Sequence, residues 1–212
     1  LHKGLRKKLI RTLQEKGIKD KSVLDAIYAL PRHFFLDNAF EEHAYEDKAF
    51  PIGNEQTISQ PYTVAFQTQM LQVNEGDKIL EIGTGSGYQA GILSLLGAKV
   101  YTIERQEELY LKTGELLNKL DLKNIFLYFK DGNKGIPEFA PFDSIIITAG
   151  TEHIPQALFE QLAVGGRLVV PFGKEKQRML CITKTDTGKP HILEEGPLFR
   201  FVPFLEGVNR KK

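Results

Sequence analysis

Cysteine is almost missing from this 212-residue chain. Cys181 stands alone, so no internal disulfide, cysteine-built zinc site or iron–sulfur cluster can form within it, and such usage fits a reducing, cytoplasmic compartment. Long apolar runs are missing as well. No window approaches the ~18 continuous apolar residues of a membrane span, and residues 1–16 are studded with Lys and Arg where a signal peptide would carry an apolar stretch. Neither sign of charge dominates. With 28 basic residues against 27 acidic ones, no basic run offers the phosphate-backbone affinity that bulk nucleic-acid binding requires, so stable nucleic-acid and membrane partners are not expected. The five histidines, His2, His33, His43, His153 and His191, lack ligand spacing, and no metal site is expected.

What is present is a 42% apolar chain, long enough for one α/β domain with a real core and too short for two full-sized ones. From Gly76 onward, short β-branched runs alternate with helical patterns, the signature of a parallel sheet covered by helices on both faces. Strands are expected at residues 78–82, 99–103, 124–129, 143–148 and 167–171. Helices are expected at 88–96, 106–120 and 155–162, the last opened by Pro155 and ended by Gly165-Gly166. The third and fourth strands are nearly continuous apolar runs, which places them at the centre of the sheet. Residues 179–183 and 199–203 read as further antiparallel strands, with a turn at 185–189. Residues 1–50 are mostly helical by pattern, with Pro31 and Phe34-Phe35 between helices. The chain reads as one domain: a helical cap and catalytic segment over 1–75, and an α/β core over 76–212.

Directly after the first core strand comes Glu81-Ile-Gly83-Thr84-Gly85-Ser-Gly87-Tyr88, a glycine turn feeding a helix at the carboxyl edge of the sheet, where open α/β sheets bind ligands. Glycines allow a sharp turn and a close approach of ligand to main chain. The spacing Gly-x-Gly-x-Gly is not the dinucleotide fingerprint, and no Gly-Lys-Ser or Gly-Lys-Thr follows to make a phosphate loop. Glu81 at the strand end would repel pyrophosphate and suit an ammonium or sulfonium charge. Glu104 closes the second strand, where a carboxylate can accept from both hydroxyls of a ribose. Asp131-Gly132 closes the third, with a carboxylate for an adenine amino group and a glycine that lets the ring lie close. Together these describe S-adenosyl-L-methionine, a nucleoside with a positive sulfur and no phosphate.

The run Ala49-Phe-Pro-Ile-Gly53-Asn-Glu-Gln56-Thr57-Ile58-Ser59-Gln60-Pro61-Tyr62, ahead of the glycine loop, closely resembles protein-L-isoaspartate O-methyltransferases. So do Asp131-Gly132, Ala140-Pro-Phe-Asp143, Ile154-Pro-Gln-Ala-Leu158, Gly165-Gly-Arg-Leu-Val169 and Arg200-Phe-Val-Pro203, in family order from about residue 44 to 204. The resemblance implies a Rossmann-like methyltransferase fold: doubly wound, mostly parallel, with antiparallel C-terminal strands and a helical cap. It implies methyl transfer from S-adenosyl-L-methionine to the free α-carboxylate of L-isoaspartyl residues in damaged proteins, and leaves D-aspartyl residues open as a second acceptor. By the same resemblance Ser59 is the catalytic position. Thr57, Ile58, Ser59, Glu81, Gly83, Thr84, Gly85, Gly87, Glu104, Asp131 and Gly132 would hold the cofactor, and Ser59, Ala149, Gly150 and Val202 the substrate. A monomer is expected.

The residues fit that chemistry. A carboxyl with a pKa near ~4 is already an anion at neutral pH, so no general base is needed and catalysis can be mostly positioning. Ser59 also admits a plain reading as the cap of a helix that starts at about Tyr62 and runs toward Leu71. The chain departs from the family where an alanine-rich run gives way to Thr148-Ala-Gly150-Thr151, and in Glu55, which is expected to face water. Cys181 and the aromatics Phe34, Phe35, Phe199 and Phe201 read as core, and His153 as surface loop. Two other functions stay open: methylation of a small metabolite or nucleobase amine, and non-catalytic nucleoside binding.

Overall fold

The computed structural model describes residues 2–210. Two amphipathic helices open the chain. α1 (His2–Glu15) buries Leu9 and Leu13, and α2 (Lys21–Ala29) starts where the Asp20 carboxylate accepts from the N–H groups of Ser22 and Val23. Short 3-10 turns carry the chain through Phe34 and Phe35 to a small antiparallel hairpin, β1 (Phe50–Gly53) and β2 (Gln56–Ile58). Pro61 then opens α3 (Pro61–Leu71), which is buried along most of its length.

The core alternates strand and helix: β3 (Lys78–Ile82), α4 (Tyr88–Leu95), β4 (Lys99–Glu104), α5 (Glu107–Lys119), β5 (Ile125–Phe129), β6 (Phe142–Ile147), α6 (Gln156–Glu160) and β7 (Leu162–Phe172). β8 (Gln177–Lys184) and β9 (Pro190–Phe199) complete a seven-stranded sheet in the order β5-β4-β3-β6-β7-β8-β9. Pairings from β5 to β7 are parallel, and β7–β8 and β8–β9 are antiparallel. The chain steps outward from β3 to β4 and β5, then crosses back to β6. The crevice outside the carboxyl ends of β3 and β6 is thus the switch point where such sheets hold ligands.

The first core cluster joins Leu9, Leu13 and Ile27 of the N-terminal helices to Ile58, Tyr88, Ile92 and Leu117, so the cap and the sheet's helices share one apolar interior. Two further clusters fill the faces of the sheet. No helix among the described residues is long and apolar enough to cross a membrane.

Four expectations are corrected. The 124–129 strand is not central: β5 lies at the edge of the sheet, with Phe126 41% exposed. Its apolar run reflects covered faces, Ile125 packing toward the helices and Tyr128 toward Tyr101 and Phe139, and says nothing about whether its outer backbone edge is paired. The helix expected over 155–162 is shorter, because Gln161 turns inward to accept from the Ile136 N–H and donate to the Lys134 carbonyl. Gly165-Gly166 lies inside β7, where the register against β6 shifts between Leu162 and Arg167; a Cβ on Gly166 would sit 2.7 Å from the Asp143 carbonyl oxygen. The last strand ends at Phe199 and does not begin there.

Candidate active site

The loop from β3 to α4 turns through three left-handed glycines, Gly83, Gly85 and Gly87, with φ of 99°, 52° and 83°. The N–H groups of Gly83 and Thr84 both donate to the Ile103 carbonyl, and Thr113 of α5 donates to the Gly85 carbonyl at 2.6 Å. Glu104 locks the loop from β4: one carboxylate oxygen accepts from the Gly85 N–H and the other from the Gln106 N–H, each at 2.8 Å. Burial pushes this carboxyl above its ordinary range against the pull of those N–H donors. Each oxygen accepts one of these bonds and keeps a lone pair for vicinal hydroxyls.

Beside this loop opens a cleft of about 890 Å³, and the N-terminal segment supplies its other wall. The hairpin turns at Asn54-Glu55, both left-handed at φ of 49° and 57°, a two-residue loop of the kind that joins tightly twisted strands. It delivers Thr57, Ile58 and Ser59 to the cleft and leaves Glu55 in water, as expected. Ser59 does not cap α3. Gln60 occupies the cap position without a side-chain bond, and the Tyr62 N–H donates instead to Asp47 at 2.8 Å, whose other oxygen pairs with Lys16 at 2.5 Å. The Ser59 hydroxyl makes no hydrogen bond among the described residues.

Of the expected residues, Thr57, Ile58, Ser59, Gly83, Thr84, Gly85, Glu104, Gly132, Ala149 and Val202 all line this cleft. Four do not line it. Gly87 packs under the loop, where a Cβ would meet Thr113 at 2.8 Å. Asp131 caps its own turn by accepting from the Asn133 N–H. Gly150 is held by its N–H to the Val202 carbonyl, which positions Val202. Glu81 is fully buried, accepting from Thr102 at 2.6 Å, and burial pushes its pKa up to about 8. Glu81 is therefore not the cleft-facing anion expected from sequence: it is buried and does not line the cleft.

Polar residues at the wall that were not assigned to the site from sequence include Gln67, Thr148 and Gln89. Gln67 of α3 donates to the Ile147 carbonyl at 3.0 Å, and Thr148 donates to the Ile82 and Gly83 carbonyls. Gln89 of α4 is 7% exposed, donates to Thr68, and keeps a buried Oε1 with no partner at the edge of the cleft. A glutamine inside an otherwise apolar helix face was the available signal. Lone acceptors, free backbone turns and a paired carboxylate suit a polyhydroxylated nucleoside with a cationic tail.

Elsewhere, His2, His33 and Glu41 bring ligand atoms within 4.8 Å of one another, a proximity that sequence spacing hides. The two imidazoles stack face to face at 4.2 Å and 12°, so their nitrogen lone pairs run in parallel planes and do not converge on an ion. The His33 Nδ1 is also engaged by the Tyr45 hydroxyl at 2.7 Å.

A second groove, of about 1080 Å³, opens on the far side of Ser59 and shares Thr57, Ser59, Thr148 and Val202 with the first. A glycine-loop cleft at the switch point, joined to an acceptor groove through a hydroxyl, defines a Rossmann-like methyltransferase. The family model for protein-L-isoaspartate(D-aspartate) O-methyltransferase matches residues 4–209, and the chain belongs to that family. Similar proteins include the protein-L-isoaspartate O-methyltransferases of Flavobacterium johnsoniae, 58% identical over 98% of this chain and 97% of its own, and of Christiangramia forsetii, 55% identical over the same shares. A solved protein-L-isoaspartate O-methyltransferase superposes with a TM-score of 0.83 at 29% identity, over 93% of this chain and 65% of that one. A Plasmodium falciparum structure in complex with S-adenosyl-L-homocysteine shares the fold, with a TM-score of 0.79 at 23% identity over 96% and 98% of the two chains.

Proposed function

We propose that the chain transfers a methyl group from S-adenosyl-L-methionine to the free α-carboxylate of L-isoaspartyl residues in damaged proteins. Family membership supports the reaction, and the observation that carries it here is the unengaged Ser59 hydroxyl between two grooves. A serine relieved of capping by Asp47 is a donor held ready for an anion. When bound, the cofactor supplies an electrophilic methyl group on a positive sulfur. Glu104 would accept from the ribose hydroxyls, the glycine loop would let the nucleoside approach the main chain, and Gln89 would offer its spare oxygen. Ser59 would donate to one oxygen of the acceptor carboxylate and hold it in place; the other oxygen would take the methyl group as the sulfur–methyl bond breaks, leaving the neutral thioether. That carboxylate is ionised at neutral pH, so these residues need only position it and exclude water. Uniting an anion with a cation is favoured where water is stripped away, and the half-buried Ser59 sits at such a place.

The same reading takes the enzyme as a single-domain monomer acting on proteins in a reducing compartment, supported by the shared apolar core and the lone, buried Cys181. The test is methyl incorporation into two peptides that differ only in isoaspartate against aspartate. Incorporation into the isoaspartyl peptide alone is expected; equal incorporation rejects the proposal.

A further inference from the structure

The groove beyond Ser59 carries two cations and no carboxylate. Lys176 and Arg200 line it together with apolar Leu198, Phe199 and Phe201. The ladder between β8 and β9 ends at the Gln177–Phe199 pair, both buried, and Lys176 and Arg200 are the residues just beyond it on the two sides, both exposed. Like charges that line one groove repel one another. Neither side chain has an ion-pair or hydrogen-bond partner among the described residues, whereas the neighbouring Arg178 lies 3.9 Å from Glu195 and donates to the Gly196 carbonyl. Glu175, beside Lys176, is exposed and does not line the groove. An unneutralised pair of cations facing a substrate groove is offset by an anionic occupant.

Resting on the proposed function, we infer that Lys176 and Arg200 make the enzyme favour isoaspartyl peptides whose neighbouring residues are acidic. The isoaspartyl carboxylate itself is claimed by Ser59 at the junction. The two cations lie along the flank of the groove, where adjoining Asp or Glu side chains would run. The attraction acts between exposed groups, so it is modest, sensitive to salt and expressed mainly in KM.

The test compares kcat/KM for two isoaspartyl peptides of one length, flanked on both sides by Glu in one and Gln in the other. It uses the wild type, Lys176→Gln/Arg200→Gln and the charge-reversed Lys176→Glu/Arg200→Glu. The wild type is expected to favour the Glu-flanked peptide about fivefold at low salt, and the preference should fade in about 0.5 M salt. The Gln variant should bring the ratio near one and the Glu variant should invert it, while a Lys176→Arg control keeps it. A wild-type ratio of one, or variants that lower both peptides in proportion, would overturn the inference and leave the proposed function standing. No methylation of either peptide would overturn both.

Discussion

Ser59 and Glu81 show how one residue's surroundings decide its part. Ser59 sits three positions before Tyr62 and one before the cap residue Gln60, and Asp47 takes the Tyr62 N–H while the Ser59 hydroxyl stays free. Ser59→Ala is expected to lower kcat about a hundredfold, the scale of losing one positioned donor, while S-adenosyl-L-homocysteine affinity by calorimetry changes little. Unchanged turnover would return the serine to a merely structural place. Glu81 makes a stability prediction. Its pKa is raised from 4.5 to about 8 by burial, so the native state keeps a proton that the unfolded chain has lost. Stability from this group is full below about pH 4.5 and falls as the pH rises to about 8. Glu104, raised by burial as well, acts in the same direction. Urea unfolding at pH 5 and pH 8 should show the wild type weaker at the higher pH and Glu81→Gln showing a smaller difference. Equal differences in the two proteins would contradict the assignment.

At the scale of elements, the start of α3 is set from outside by Asp47, itself held by Lys16 of the cap. Asp47→Ala should cost about 1–2 kcal/mol, as lost caps do, and lower turnover with it because Ser59 hangs from that helix start. Denaturation and steady-state rates check both; stability loss without a change in kcat would separate the cap from the site. What could be read from sequence followed the same division. The strand at 78–82 and its glycine loop were legible because the chemistry is local: β-branched run, acidic end, glycines at fixed spacing. The edge position of β5 was not, since an apolar run reports covered faces and not lateral neighbours. The β1–β2 hairpin escaped because its two loop residues are Asn54-Glu55, with the left-handed Gly53 before the loop and not inside it. Asp47 escaped because capping across fifteen residues of chain leaves no spacing to read.

Across the whole molecule, α1 and α2 pack into the same interior as Tyr88, Ile92 and Leu117, next to the cofactor loop. The cap should therefore not unfold apart from the core. Calorimetry is expected to show one transition, raised by S-adenosyl-L-homocysteine by about 5–10 °C at a hundredfold excess over Kd. Two resolved transitions would contradict the single-domain reading. In the proposed reading a nucleoside cleft and a peptide groove meet at Thr57, Ser59, Thr148 and Val202, none of which is a titratable base. That arrangement suits an acceptor that arrives already ionised. The most direct measurement is the product of a single turnover on an isoaspartyl peptide, followed by mass spectrometry. The account predicts a methyl ester on the α-carboxyl that is lost as methanol when the chain closes to a succinimide. A methyl group on nitrogen that survives mild base would contradict it.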